Sequence, residues 1–119
     1  MKIKKIDIFA EWSDQKVLAG VLEFFDGEYI LTYNQEWIDH EQSISLTEGT
    51  PLSSKIHRTT NLWGGVEDRL PPISSKTYSN LCKGWGVPTG EQDILLLLAT
   101  VGHRAMGCFV FYGPDELYY

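Results

Sequence analysis

Val17-Leu18-Ala19-Gly20-Val21-Leu22-Glu23-Phe24-Phe25, then Asp26-Gly27, then Tyr29-Ile30-Leu31-Thr32-Tyr33: this stretch decides the fold. Both flanking runs are rich in β-branched and aromatic residues and read as strands. Between them, Asp26-Gly27 offers a glycine that tolerates positive φ, the short-range signal of a tight hairpin. Upstream, Ile3 to Phe9 has the same character, and Ser13-Asp14-Gln15-Lys16 is a polar stretch fit for a turn. The opening third therefore reads as an antiparallel meander.

Working outward, Tyr33 to Ile38 predicts a short helix, with Asn34 as its cap and Glu36 in its first turn. Ser43 to Leu46 is expected to be extended, and Gly49-Thr50-Pro51 breaks it. The second half changes character: Thr77 to Lys83 and Gln92 to Thr100 look helical, with Ser74 or Ser75 available as a cap. Pro71-Pro72 ends whatever helix precedes it, because proline donates no hydrogen bond and restricts the residue before it. Cys108 to Tyr112 is aromatic and β-branched enough to close the sheet, and Gly113-Pro114 stops it. Strands first, helices in the middle and a final strand predict an α+β fold over residues 1–119 as a single domain. The expectation is an antiparallel sheet or partial barrel, with two to four short helices in the second half.

Composition narrows the function. Hydrophobic residues make up 43% and charged residues 22%, the balance of a soluble globular protein rather than a disordered one. The net charge of −6 argues against nucleic acid, which needs a basic face to replace counterions. Lys2, Lys4 and Lys5 are interrupted by Ile3 and followed by Ile6 and Ile8, the solvent face of a first strand rather than a phosphate grip. An acidic surface suits a basic protein partner better. The run Ile94 to Ala99 is far shorter than the roughly 20 apolar residues of a membrane span. Asp7, Glu11 and Asp14 interrupt the N-terminus before any signal-peptide core could form, so a cytoplasmic protein is expected. Cys82 and Cys108 form no CxxC pair and read as two reduced, mostly buried thiols.

The residues offer no catalytic constellation. The phosphate-cradling GxxxxGK[ST] pattern is absent, and Gly64-Gly65 leads into Val66-Glu67-Asp68, placing acids where a phosphate would want donors. The catalytic and metal-binding signatures of kinases do not occur. His40, His57 and His103 are scattered and lack metal-ligand spacing. No serine sits in a GxSxG elbow. The reading is a non-enzyme with no cofactor and no metal.

One set of motifs points further. Tyr33-Asn34-Gln35-Glu36-Trp37, Ser43-Ile44-Ser45-Leu46 and Pro51-Leu52 are followed by Arg69-Leu70-Pro71-Pro72. Next come Ile94 to Leu98 and the stretch Val101-Gly102-His103-Arg104-Ala105-Met106-Gly107-Cys108-Phe109-Val110. In this order they resemble the N-terminal domain of HipA-type serine/threonine kinase toxins, over roughly Ile6 to Tyr112. A HipA protein continues into a kinase core where this chain stops, and short proteins of this kind are the HipS antitoxins. The resemblance implies a tripartite toxin–antitoxin system in which the chain docks on and neutralises a short HipT-like kinase. A HipB-like DNA-binding protein is implied as a further member of that complex.

The chain departs from the family where Gly65 and Val66 stand in place of an aromatic pair. Leu62-Trp63-Gly64-Gly65 lies just ahead. Glycine lets a backbone approach a partner closely, and tryptophan is the residue most enriched at interface hot spots. The candidate partner-binding residues are therefore Leu62, Trp63, Gly64, Gly65, Val66, Glu67, Asp68 and Arg69, together with Arg104 in the glycine-bounded turn. Trp63 either projects and plugs a kinase pocket or folds inward to replace the missing aromatic pair. Trp12, Trp37 and Trp85 flank apolar segments and read as core or core-edge residues. Two roles compete: an inhibitor acting in trans, or a structural subunit that completes the kinase without blocking it.

Overall fold

The computed structural model describes residues 3–67, 70–72, 74–104 and 107–118. Five strands form one antiparallel sheet: β1 (Lys5–Trp12), β2 (Gln15–Phe25), β3 (Glu28–Tyr33), β4 (Ile56–Thr59) and β5 (Phe109–Tyr112), in the order β4-β3-β2-β1-β5. The sheet is open, with β4 and β5 at its two edges. Among the described residues, four α-helices accompany it: α1 (Gln35–Ile38), α2 (Gly64–Glu67), α3 (Lys76–Trp85) and α4 (Ile94–Ala99). The fold is α+β, as the order of strand and helix patterns predicted.

The two hairpins follow from their turn residues. Asp26 and Gly27 adopt φ of 52° and 79°, and Phe25 pairs with Glu28. That is the twist-matched two-residue hairpin the sequence predicted. The first turn is tighter than expected. Trp12 pairs with Gln15, so only Ser13-Asp14 turn, with Ser13 at φ 49°. Gln15 and Lys16 instead extend β2, and β1 runs on past Phe9 to Trp12. On β2, Gly20 is a requirement: a Cβ there would lie 2.6 Å from the Thr32 carbonyl oxygen.

Three local expectations are corrected. Ser43 to Leu46 joins no strand; it is a loop held from beneath by two buried aromatic side chains described below. Ile56–Thr59 forms an edge strand that the sequence reading did not assign. Asn34 occupies the N-cap of α1 but makes no cap bond; its Nδ2 donates to the Leu18 carbonyl at 3.1 Å, tying the helix to β2. The later helices are capped as their residue types dictate. The Ser75 hydroxyl accepts from Tyr78 N at 3.1 Å, and α3 ends at Gly86 with φ 68°. Asp93 caps α4 by accepting from Leu95 N and Leu96 N, so the helix starts at Ile94 rather than Gln92.

Helix α4 is buried along its length from Leu95 to Ala99, as a short helix that is apolar all round must be. It lies between two clusters. Leu95, Leu96 and Leu98 join Ile6, Ile8, Leu22, Leu31, Trp37 and Phe111 in the main core. Leu97 joins Tyr78, Cys82 and Val101 in a second core under α3. After β5, a 3₁₀ turn (Asp115–Tyr118) brings back the Tyr118 hydroxyl, which accepts from Gly113 N at 2.8 Å and donates to the Ala99 carbonyl at 2.9 Å. The helix of greatest apolar content is thus pinned at both ends. Cys82 is buried and Cys108 half-buried; both are free.

Candidate partner-binding site

The site is built on a loop with no secondary structure of its own. Tyr33 ends β3 with its ring 1% exposed, so its hydroxyl must find partners. It donates to the Thr50 carbonyl at 2.5 Å and accepts from Leu46 N at 2.8 Å. The buried Thr50 hydroxyl in turn accepts from Thr47 N at 3.1 Å. Trp37, on α1, donates its indole N–H to the Ile44 carbonyl at 3.1 Å. His57 on β4 closes the other side. Its Nε2 lies 2.9 Å from the carbonyls of Pro51 and Ser54, and its ring meets that of Tyr33 edge-on. Residues 44–54 are therefore fixed by side chains reaching up from the sheet and α1.

Against this loop sits Trp63. It is half-buried and packs on the main core. Its Cδ1 would lie 3.2 Å from a Cβ at Gly49. One step on, a Cβ at Gly65 would lie 3.0 Å from Thr47 Cγ2. Glycine at both positions lets the two segments meet closely. Between them opens a groove of about 650 Å³ lined by Ser45, Leu46, Thr47, Glu48, Gly49, Trp63, Gly64 and Gly65. Trp63 thus presents part of its indole to solvent while the rest is held on Gly49.

The candidate residues separate. Trp63, Gly64 and Gly65 line the groove together. Leu62 is half-buried against the core. Val66 is fully buried, its N–H bonded to the Trp63 carbonyl at 2.9 Å; its side chain anchors α2 from inside and is turned away from any partner. Glu67 closes α2. Asp68 and Arg69 lie outside the described residues. Arg104 is exposed and reaches Glu11 Oε1 at 3.5 Å. It belongs to another depression, with Leu81, Trp85, Val101 and His103, and shares no groove with Trp63. The sequence reading missed Thr47, Glu48 and Gly49 as the opposing wall. Their signal was the Gly49-Thr50-Pro51 break, which marked a loop without saying what it faced.

Around Arg104 lies an aromatic cluster. His103 Nδ1 bonds the Phe111 carbonyl, and Phe111 N donates to the His103 carbonyl at 3.0 Å. The imidazole contacts the rings of Trp85, Tyr112 and Tyr118. Burial pushes the His103 pKa below its ordinary value, helped by Arg104 and Lys16 and opposed by the Phe111 carbonyl and Glu11. Burial also raises the Tyr112 phenol, as does its 2.5 Å bond to Glu11 Oε2.

A sequence profile of the HipA N-terminal domain matches residues 12–112. The chain belongs to the HipA N-terminal domain family. A comparison with curated proteins gave no match. In this HipA N-terminal domain, the motif residues acquire physical roles. Tyr33 and Trp37 hold the loop that carries Ser45 and Leu46. Leu70 lies over Gly102, where a Cβ would come within 2.7 Å of its Cδ2. Two motif blocks therefore meet through residues more than thirty positions apart in the chain; Ala105 and Met106 of the second block lie outside the described residues. Among the described residues, no group of three or more His, Cys, Asp or Glu side chains is placed to hold a metal. No helix among them is long and apolar enough to cross a membrane.

Proposed function

We propose that this HipA N-terminal domain is a HipS-like antitoxin that binds a HipA- or HipT-type serine/threonine kinase in trans and restrains it. The observation that carries this reading is Trp63: a tryptophan held half-exposed at the rim of a groove, in a chain that belongs to a kinase toxin's N-terminal family. Tryptophan is the commonest hot-spot residue because it desolvates a large rigid surface at little entropic cost. The mechanism is steric or conformational, acting by contact, with no cofactor. A HipB-like DNA-binding protein is expected in the same complex, and the setting is the cytoplasm.

A second reading has an observation of its own. Trp63 rests on Gly49 and the core rather than standing free, which suits a flat interface that completes the kinase fold without entering its active site. One experiment separates the two. The chain is co-expressed with a short HipT-like kinase, and complex formation and kinase autophosphorylation are measured. Inhibition is expected. Trp63→Ala is expected to remain folded with a lowered melting temperature, because the indole packs on the core, and to weaken inhibition by at least about tenfold, the effect of removing one hot-spot side chain. Binding without inhibition supports the completing subunit. Unchanged inhibition by folded Trp63→Ala removes Trp63 from the contact.

A further inference from the structure

Strand β4 ends the sheet, and its outer edge is unlike the rest of the molecule. Tyr33 N donates to the Lys55 carbonyl at 2.8 Å. In an antiparallel ladder, residue pairs that exchange hydrogen bonds alternate with pairs that do not. Given the register Leu31↔His57 and Tyr29↔Thr59, those residues face β3, and the N–H and C=O groups of Ile56 and Arg58 face away from it. Among the described residues, no segment hydrogen-bonds to that edge. Both side chains are exposed, Ile56 by 52%. An unpaired edge of this kind is a template for an added strand unless it is blocked.

Charge selects what can be added. Lys55, His57 and Arg58 fall within four residues of a chain whose net charge is −6. Among the described residues neither Lys55 nor Arg58 enters an ion pair; the ion pair present is Arg104 with Glu11. The acids on the neighbouring strands are Glu23, across Ile30, and Glu28, at the start of β3. A second copy fits poorly. Twofold pairing about His57 would set His57 against His57 and bring two Arg58 and two Lys55 to one seam with no acid between them. Nucleic acid fits poorly as well, since a phosphate backbone cannot exchange both donors and acceptors with the ladder. We infer that the outer edge of β4 is a docking strand for an extended acidic segment of another protein. The segment pairs its backbone with Ile56 and Arg58 and places its carboxylates on the Arg58 face of the sheet.

The test uses the full chain and a fluorescein-labelled hexapeptide alternating Glu with Val, with a Lys-for-Glu counterpart as control. The Glu peptide is expected to bind at least about tenfold more tightly than the Lys peptide at low salt, and less tightly as salt rises. Ile56→Pro removes an outward N–H that β3 does not use, a substitution edge strands tolerate. It is expected to leave the melting temperature nearly unchanged and to abolish measurable peptide binding. Arg58→Glu, which alters no backbone group, is expected to reverse the preference toward the Lys peptide. Trp63→Ala is expected to bind the Glu peptide as the wild type does, so this result stands apart from the kinase reading. Equal binding of the two peptides overturns the inference, as does unchanged preference in Arg58→Glu. A dimer seen by light scattering that Ile56→Pro dissolves would assign the edge to a second copy and overturn it too.

Discussion

The hydroxyl of Tyr33 holds two points of the loop at once, accepting from Leu46 N and donating to the Thr50 carbonyl. Tyr33→Phe keeps the ring and leaves both backbone groups without that partner in a buried site. Such a loss costs about 1–3 kcal/mol, which for a domain of this size lowers the melting temperature by roughly 4 °C per kcal/mol. The groove wall facing Trp63 loses its anchor in the same variant, so intrinsic Trp fluorescence is the second readout. Tyr33 and Trp37 were legible in the sequence as family-like motif residues. Their roles were not, because both bond to main-chain atoms of a loop whose path has no periodicity to read. His103 makes a second residue-scale case. Its folded pKa is depressed, first by burial, so the unfolded chain takes up a proton at higher pH than the folded one. Stability is therefore full above the ordinary histidine range and falls as pH drops through about 6.5 toward the depressed folded value. His103→Asn keeps an N–H near the Phe111 carbonyl and removes the titration. Thermal melts at about pH 7.5 and about pH 5.5 are expected to show a smaller drop for the variant than for the wild type; equal drops would assign the pH dependence elsewhere.

Among the elements, the hairpins were the most readable, because turn chemistry and strand composition agree there. Asp26-Gly27 demands positive φ and obtains it. Two other segments show where local pattern misleads. Ser43-Ile44-Ser45-Leu46 alternates like a strand, yet the loop is set by Trp37 and Tyr33, and Ile44 is exposed. Ile56–Thr59 alternates over only four residues and is half-exposed, too short a run for composition to distinguish from a loop. The start of α4 was displaced for a specific reason: Asp93 serves as its cap instead of its second residue. Its carboxylate also accepts from Ile3 N at 2.9 Å, joining the helix to the residues just ahead of β1. Asp93→Ala removes the cap and that tie together. A loss of about 1–2 kcal/mol is expected, measurable by urea denaturation, whereas Asp93→Asn, which retains an acceptor, is expected to lose less.

For the molecule as a whole, the decisive contact is the one that joins its two cores. Leu70 packs on both clusters and lies over Gly102, one residue beyond Val101 of the second core. Neither Arg69-Leu70-Pro71-Pro72 nor the Val101 turn announces the other in sequence, since the contact is made by shape alone, a side chain filling the space a missing Cβ leaves. Gly102→Ala puts a methyl group 2.7 Å from Leu70 Cδ2 and 3.3 Å from Leu98 Cα. The leucine end can swing aside, but the backbone of α4 cannot, so a loss of about 1–3 kcal/mol is expected. Leu70→Ala by itself opens a cavity and costs about 2–4 kcal/mol. If the two residues compete for one volume, the double variant must be more stable than the sum of the single losses predicts. The coupling should reach at least about 0.5 kcal/mol in a double-mutant cycle. Strict additivity would mean that Leu70 and Gly102 are independent, and that the two cores are joined through α4 alone.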